Sequence, residues 1–430
     1  MPKLPKFVFP IFLLLFFVAA PALIFFAAGY RFDFKTGQTS RVGIIIVDGE
    51  PRDTSVYLDD KEVAHKLPLK RKGVPPDFYN IILKSDGYHE VWFARDVRAG
   101  ESLVISPVFL LKQSAPELLR DSEIVSITPH PSYKQFVIET RNLVGKELFI
   151  YTPESNTWDS LYKTDFEADW ELSLNNDSSA ILLRTGNTHR VIFVDDRPIV
   201  PLSYGQIVWS KTSADDVYVI DISDRLVRLS VSRAHEPEVI TNATKIVGLS
   251  DNFAFVLRDV DRVGQLVKVS LEDQEITFID EQKSTSVLAS NFRTLFVHDN
   301  RVSYVDESGL VSLMPYDRYK VVWKNENVVY FYNRFEIIRW DVSEDVLRTI
   351  ARYGGDIRAV EPLHGTEYIL VSRGNELIAF NTQESEHQTT GLLQDVSIDE
   401  IVSDEKGLSA FISGTVGDET GLFSLELRED

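Results

Sequence analysis

The chain has 430 residues, a net charge of −20 and no cysteine. This length predicts two or three domains, and the lack of cysteine excludes disulfides, thiolate metal sites and cysteine nucleophiles. The charge is uneven, because residues up to Lys112 carry 15 basic and 12 acidic side chains whereas the remainder carries 30 and 53. An acidic C-terminal region repels phosphate backbones, so nucleic acid is not an expected partner.

The first segment of the chain is apolar. Residues 7–28 contain no charge and follow Lys3 and Lys6. As a helix they would extend over about 33 Å, enough for the hydrocarbon core of a bilayer. The run therefore predicts an uncleaved transmembrane anchor within residues 1–28. A signal peptide cleaved near residues 20–22 is the alternative, although its apolar region would be shorter, about 7–15 residues.

Basic residues flank this segment almost equally, with two lysines before it and three basic residues in the linker 29–41. A six-residue N-terminal tail is easily retained in the cytoplasm, while an N-terminal anchor directs the downstream chain outward. We therefore predict a single-pass protein of the cell membrane with the bulk of the chain extracytoplasmic.

From Val42 onwards, short apolar runs alternate with turns rich in Asp, Gly and Pro. This pattern predicts a small β-sandwich over residues 42–112. The expected strands are residues 43–47, 55–58, 80–84, 89–94 and 103–105.

The order of these features resembles the PEGA domain, a small surface-associated β-domain. The matching stretches are PRDTSVYLDDK (51–61), LP (67–68), PPDFYNI (75–81), KSDGY (84–88) and VRAGE (97–101). Two positions depart from the family pattern, because Asp60 replaces the usual glycine and the eponymous turn reads PRDTS. The stretch GYRFDFKTG (29–37) is similar to bacterial envelope proteins that place a PEGA domain directly after an anchor.

Residues 122–430 contain a recurring unit of about 39 residues, close to the period of a four-stranded propeller blade. Each unit has a strongly apolar second strand, which neighbouring blades are expected to cover on both faces. The second strands are predicted at 135–138, 180–183, 217–220, 253–256, 294–297, 328–331, 368–371 and 410–412. The predicted fold class is therefore all-β with one N-terminal transmembrane helix, a PEGA-like β-sandwich over 42–112 and a β-propeller over 113–430. Eight units predict eight blades, with seven as the alternative.

The last unit ends at Asp430 without a fourth strand. Because a propeller has to close its ring, residues 116–120 are predicted to complete the final blade. The blades resemble irregular TolB-like or WD40-like blades, with VWSK at 208–211 and a Trp-Asp dipeptide at 340–341.

Catalytic motifs are absent from the sequence. There is no His-x-x-x-His pair, no Gly-x-Ser-x-Gly elbow and no glycine-rich phosphate loop. The histidines are isolated in sequence: His65, His89, His130, His189, His235, His298, His364 and His387. Asp215, Asp216, Asp259 and Asp261 carry calcium-type oxygen ligands but lack the spacing of an EF-hand loop, so acidic turns explain them. No catalytic, cofactor-binding or metal-ligating residue is predicted, and no cofactor is expected.

Two sets of aromatic residues have a binding and a packing interpretation. In the small domain they are Tyr57, Tyr79, Tyr88 and Trp92, which form either a sugar-binding platform or the packing of a small sandwich. In the propeller they are Trp170, Trp209, Trp323, Tyr330, Tyr332 and Trp340. The packing interpretation is favoured for both sets.

The predicted function is non-enzymatic binding or scaffolding in a bacterial envelope, with a propeller face that recognises a protein or a cell-wall or surface polymer. One alternative is a propeller-type glycan hydrolase or lyase, which needs two carboxyl groups about 5–10 Å apart. The other is a sensor or assembly subunit of a membrane complex, which a large apolar patch on one propeller face would favour.

Overall fold

The computed structural model describes residues 8–27, 29–33, 38–130, 134–165, 170–186, 188–195, 197–232, 236–261, 263–281, 285–290, 293–306, 309–382 and 389–429. Lys3, Lys6, His235 and His387 lie outside the described residues. The chain divides into two units, which we call the small unit (Met1–Ala115 with Glu426–Asp430) and the propeller unit (Pro116–Leu425).

The small unit begins with helix α1, Val8–Ala27, which contains Pro21. Large apolar side chains of this helix, such as Phe12 and Leu14, are exposed. Across the part of the chain that the structure describes, no helix combines the length and the apolarity needed to cross a membrane. The transmembrane helix predicted within 1–28 is therefore not confirmed.

Nine strands follow in the described part of the small unit. They are β1 Tyr30–Asp33, β2 Gln38–Arg41, β3 Gly43–Glu50, β4 Ser55–Leu58, β5 Lys61–Ala64, β6 Leu69–Val74, β7 Asp77–Lys84, β8 Val91–Val97 and β9 Ser102–Phe109. Strands β1 and β2 pair with each other inside the segment predicted as a linker. The others form a three-stranded sheet, β6-β3-β9, and a four-stranded sheet, β5-β4-β7-β8.

These two sheets form a sandwich around one apolar core. In β3, every second residue is buried, as expected for a strand with one face on a core. Ile45 and Val47 from β3 share this core with Ile81 and Leu83 from β7. The sequence reading missed β5 and β6, because KEVA and LKRKGV are charged and mostly exposed, which is typical of edge strands.

The last residues of the chain also belong to the small unit. Leu427 is fully buried, and its carbonyl accepts a hydrogen bond from the Lys112 N–H at 2.8 Å. The Lys112 ammonium lies 2.7 Å from Glu426 and 2.9 Å from Glu429. The small unit is therefore assembled from both ends of the chain.

Eight four-stranded sheets lie within the described part of the propeller unit, and we number them as blades in chain order. Strand β10 is Glu117–Asp121. Blade 1 has β11 Glu123–Pro129, β12 Phe136–Arg141, β13 Lys146–Thr152 and β14 Thr157–Thr164, with the 3-10 helix Pro153–Ser155 before β14. Blade 2 has β15 Trp170–Leu174, β16 Ala180–Thr185, β17 Thr188–Phe193 and β18 Val200–Leu202. Blade 3 has β19 Gln206–Trp209, β20 Asp216–Ile220, β21 Arg225–Ser230 and β22 Glu238–Asn242, and blade 4 has β23 Lys245–Leu249, β24 Phe253–Val260, β25 Val263–Ser270 and β26 Ile276–Glu281. Blade 5 has β27 Thr285–Ser290, β28 Thr294–His298, β29 Arg301–Asp306 and β30 Gly309–Pro315; blade 6 has β31 Lys320–Asn325, β32 Val328–Tyr332, β33 Glu336–Asp341 and β34 Val346–Arg352; blade 7 has β35 Ile357–Pro362, β36 Tyr368–Arg373, β37 Glu376–Asn381 and β38 Thr389–Gln394; blade 8 has β39 Val396–Ser403, β40 Ser409–Val416 and β41 Glu419–Glu426, with β10 beside β41.

The second strands of the blades contain long runs of buried residues. Strands β28, β32 and β36, for example, contain runs of five buried residues. Apolar clusters fill the spaces between blades, as Ile150 of blade 1 and Ile181 of blade 2 illustrate. The ring closes between blades 8 and 1, where the rings of Phe411 and Phe136 lie 4.6 Å apart.

Strand β10 forms the outer strand of blade 8. It pairs with β41 in antiparallel register, with Glu117 opposite Ser424 and Asp121 opposite Gly421. The last blade therefore combines one strand from the start of the propeller unit with three from its end.

Candidate functional site

A cavity of about 900 Å³ opens along the first strands of blades 1, 2 and 3. We call it the blade 2–3 cavity, and its wall consists of residues 128–130, 171–176 and 206–211 with Leu182, Arg184 and His189. Its apolar surface comes from both neighbouring blades, since Leu182 of blade 2 packs in one cluster with Ile207 and Trp209 of blade 3. The volume lies within the range of small-molecule pockets.

One row of polar side chains crosses blade 2 at this cavity. Glu171, Arg184 and His189 lie directly opposite one another on β15, β16 and β17. Arg184 donates from Nη1 to Glu171 at 2.9 Å and from Nε to the Gly186 carbonyl at 3.1 Å. His189 is 3% exposed, and its Nδ1 has no hydrogen-bond partner among the described residues.

Burial and the nearby Arg184 guanidinium lower the pKa of His189. The imidazole is therefore neutral near pH 7, and one of its two nitrogens carries a proton while the other accepts. A buried nitrogen without a hydrogen-bond partner is unfavourable for the folded protein.

The other end of the cavity lies where the first strands of blades 1, 2 and 3 end. Asn175 accepts the Ala180 N–H at 3.0 Å and donates to the Ala214 carbonyl at 2.9 Å, which ties blade 2 to blade 3. Lys211 is half-buried, and burial lowers its pKa. Trp209 donates from Nε1 to the Ser173 carbonyl at 3.0 Å, so its ring is fixed in the cavity wall.

Two glutamates on neighbouring first strands have raised pKa values. Burial raises the pKa of Glu361 on β35 to about 7, and burial also raises the pKa of Glu400 on β39. Each carboxylate accepts a backbone N–H from the next blade. Glu361 accepts from Ser403 at 3.0 Å, and Glu400 accepts from Ile127 at 2.6 Å. This geometry joins blade 7 to blade 8 and blade 8 to blade 1.

A third feature is a set of apolar turn residues on the propeller unit. In antiparallel blades whose first strands run in the same direction, every turn between second and third strands lies at the same end of the ring. Leu143 and Ile222 at such turns are fully exposed, and Val144 and Phe335 are 66% and 54% exposed. We call these four residues the apolar tips.

A side-chain hydrogen bond closes each turn that carries an apolar tip. Asn142 accepts the N–H of Val144 at 2.9 Å. Asp221 accepts the N–H of Ser223 at 2.9 Å, and Asn333 accepts the N–H of Phe335 at 2.8 Å. The same Asx turn therefore recurs in blades 1, 3 and 6.

Most residues singled out from the sequence have structural surroundings that explain them. Asp216 pairs with Arg228, whose Nε lies 3.1 Å away. Tyr330, Tyr332, Trp323 and Trp340 are buried in inter-blade clusters, as the packing interpretation predicts. No group of three or more His, Asp or Glu side chains within the described ranges is arranged to hold a metal ion.

The aromatic residues of the small unit behave differently from one another. Tyr88 is buried in the sandwich core, whereas Trp92 is 61% exposed. Tyr57, Ile82 and Trp92 lie opposite one another on β4, β7 and β8. Neither interpretation accounts for all four residues.

Sequence reasoning did not find the blade 2–3 cavity. His189 and Arg184 are separated by a turn, and Glu171 lies on another strand, so the row exists only through strand register. The apolar tips left a detectable signal, since Leu143, Ile222 and Phe335 are apolar residues within otherwise polar turns.

No protein-family model matches the chain, and no curated protein matches it. The resemblance to the PEGA domain is therefore not confirmed by a family match. Solved structures similar to the chain include the C-terminal WD40 domain of Sif2, at 11% identity and TM-score 0.44, covering 73% of this chain and 98% of that one. Another is the Dos1 propeller, at 12% identity and TM-score 0.49, covering 73% and 95%. A third is the Myceliophteria thermophila Cps50 (Swd1) β-propeller domain, at 11% and 0.39, covering 72% and 98%. At TM-scores below 0.5 these likenesses assign neither a family nor a function, and the prediction of an all-β propeller is confirmed by the strand topology.

Proposed function

We propose that this chain is a non-enzymatic binding protein whose propeller unit docks a protein partner through the apolar tips. The main supporting observation is that an exposed apolar side chain on an Asx turn recurs in three blades. The turns that carry these side chains lie at the same end of the ring, where one partner surface can cover them.

The hydrogen-bonded turns favour docking because they reduce the conformational entropy that is lost on binding. A turn that is already fixed does not lose backbone freedom when a partner covers it. Leu143, Ile222 and Phe335 would then enter apolar pockets of the partner as anchor residues.

A protein is a better-supported partner than a glycan. Sugar-binding surfaces stack aromatic rings on sugars, and in the propeller unit the large aromatics Trp323, Trp340 and Tyr330 are buried between blades. The tips are mainly aliphatic, which suits an apolar protein surface. An assembly subunit of a membrane complex, the third function considered from sequence, is one form of this proposal.

A glycan hydrolase is the second candidate function, because Glu361 and Glu400 have raised pKa values on neighbouring blades. Against it, both carboxylates accept backbone N–H groups from the adjacent blade, which assigns them a structural task. A hydrolytic activity abolished by Glu361→Gln and by Glu400→Gln, in proteins that remain folded, would favour the hydrolase.

The location at a membrane is also part of the proposal. The uncharged apolar run 7–28 and the exposed apolar side chains of α1 support attachment of the small unit to a membrane, with the propeller unit outside the cytoplasm. The small unit would act as a PEGA-like stalk. Protease treatment of intact cells should cleave the propeller unit from outside, whereas protection until lysis would contradict this location.

Photo-cross-linking tests the docking surface directly. A photo-reactive residue at Ile222 should capture a defined protein in the native cells, because this tip would be buried in the partner. The same residue at Phe278, which is 53% exposed on the outer strand β26, is the matched control. Capture of the same proteins from both positions, or of none from Ile222, would contradict the proposal.

A further inference from the structure

The blade 2–3 cavity has the features of a ligand site independent of the apolar tips. We propose that it binds a small organic carboxylate, with the carboxylate held by Arg184 and His189 and the apolar body against Leu182, Ile207 and Trp209. This inference does not depend on the proposed docking of a protein partner.

The first argument is the unpaired nitrogen of His189. The side chain is 3% exposed, it contributes to the cavity wall, and Nδ1 has no partner within the described part of the chain. Buried polar atoms are nearly always hydrogen-bonded, and Nδ1 is closed to solvent, so a bound molecule reaches it only when the ring turns about the Cβ–Cγ bond. In that orientation an imidazole protonated at Nδ1 would donate to a carboxylate oxygen.

The second argument is the position of Arg184. It lies directly opposite His189 on the neighbouring strand, so their Cβ atoms are about 5 Å apart. Its Nη1 and Nε are occupied by Glu171 and Gly186, and Nη2 makes no hydrogen bond among the described residues. One donor from Arg184 and one from His189 match the two oxygens of a carboxylate.

The third argument is charge. The cavity wall contains Arg184 and Lys211 but only one carboxylate, Glu171, in a chain whose net charge is −20. Glu171 is 75% exposed, so water screens its pairing with Arg184 and a ligand carboxylate can share the guanidinium. The two cations of the wall favour an anion over a cation, although Asp251 lies close enough to Lys211 to raise its pKa against the effect of burial.

The shape of the cavity defines the rest of the ligand. The wall follows β15 from Glu171 to its end at Leu174 and continues through Asn175 and Asn176. Leu182, Ile207 and Trp209 pack in one cluster and contribute to the apolar part of this wall. An elongated aliphatic or aromatic acid fits such a site better than a compact, fully polar anion.

Isothermal titration of the full chain with octanoate, hexanoate and octylamine tests this site. Octanoate should bind, and hexanoate should bind about tenfold more weakly, because each buried methylene contributes roughly three- to fourfold. Octylamine has the same apolar body with a positive head and should not bind measurably. Equal affinity for octanoate and octylamine would overturn the proposal.

Variants locate the binding. Arg184→Gln should weaken octanoate binding at least tenfold. Arg373→Gln is the matched control. Like Arg184, Arg373 lies in the last two residues of a second strand and pairs with an acid, Glu376, at 2.6 Å, but it does not contribute to the cavity. Equal losses in both variants, or a loss below twofold in Arg184→Gln, would contradict the site.

His189 provides a readout that does not depend on the arginine. His189→Leu should weaken octanoate binding and raise the melting temperature of the unliganded protein, because it removes an unpaired buried nitrogen. His189→Asn retains an N–H donor and should keep more of the affinity than His189→Leu. If His189→Leu fails to fold, a diazirine-bearing octanoate should label peptides that contain residues 128–130, 171–189 or 206–211, and labelling elsewhere would overturn the assignment.

Discussion

Glu361 illustrates how burial changes a carboxyl group in this ring. Its pKa is raised from 4.5 to about 7 because the carboxyl group is removed from water, while the Ser403 N–H and hydroxyl, which donate to it, oppose the rise. The folded protein therefore binds a proton at Glu361 more tightly than the unfolded chain does. The contribution of Glu361 to stability therefore rises as the pH falls from above 7 towards 4.5.

Glu361→Gln should remove this pH dependence. The amide oxygen still accepts the Ser403 N–H, and no charge has to be buried above pH 7. We expect the free energy of unfolding at pH 8 to rise by up to about 3 kcal/mol, with little change at pH 5. Urea unfolding at both pH values measures this difference.

The matched control is Glu344→Gln, since Glu344 is 65% exposed and loses the same charge at the surface. Its unfolding free energy should change equally little at the two pH values. A Glu361→Gln protein less stable than wild type at pH 8 would show that the ionised carboxylate contributes more through its hydrogen bonds than its burial costs.

At the scale of elements, the closure of the ring depends on the pairing of β10 with β41. A Cβ atom added at Gly421 of β41 would lie 2.1 Å from the carbonyl oxygen of Arg120 in β10. A Cβ atom and a carbonyl oxygen cannot approach each other so closely, so the two strands would have to separate. The glycine is therefore required by the close approach of the two strands.

Gly421→Ala is expected to destabilise the propeller unit by about 1–3 kcal/mol, as overpacking typically does. Gly391→Ala is the control, because Gly391 also lies in an outer strand, β38, and a Cβ there meets nothing within 4 Å. Thermal unfolding followed by circular dichroism compares the two. Equal melting temperatures would mean that the β10–β41 contact does not limit stability.

The elements with strong apolar periodicity could be predicted from the sequence. The runs at 135–138 and 328–331 correspond to second strands, since covering on both faces requires continuous apolar residues. Strands β5 and β6 could not be predicted, because charged edge strands resemble loops in sequence. The row of Glu171, Arg184 and His189 could not be predicted either. Which residues become cross-strand neighbours depends on the register of the strands, and turn lengths alone do not determine that register.

At the scale of the whole molecule, each unit draws on distant parts of the chain. The small unit includes Leu427, and blade 8 includes β10 from the start of the propeller unit. Folding of each unit therefore requires contacts between residues about 300 or more positions apart, which slow folding more than local contacts do.

Leu427→Ala should destabilise the small unit by about 2–5 kcal/mol, because the side chain is fully buried. Val104→Ala, at a position 58% exposed in the same unit, should have little effect. Hydrogen exchange measured by mass spectrometry should show lost protection in β3 and β9 with the propeller blades unchanged. Equal loss in blades 3 to 5 would indicate that the two units do not unfold separately.

The most direct measurement of the proposed function is the dissociation constant between the full chain and the protein captured at Ile222. A triple variant should weaken binding at least 100-fold, since several anchor residues are lost together. This variant carries Leu143→Ser, Ile222→Ser and Phe335→Ser. A control with Val239→Ser and Phe278→Ser, both exposed on outer strands, should stay within about twofold of the wild type. Similar dissociation constants for the wild type and the tip variant would contradict the account.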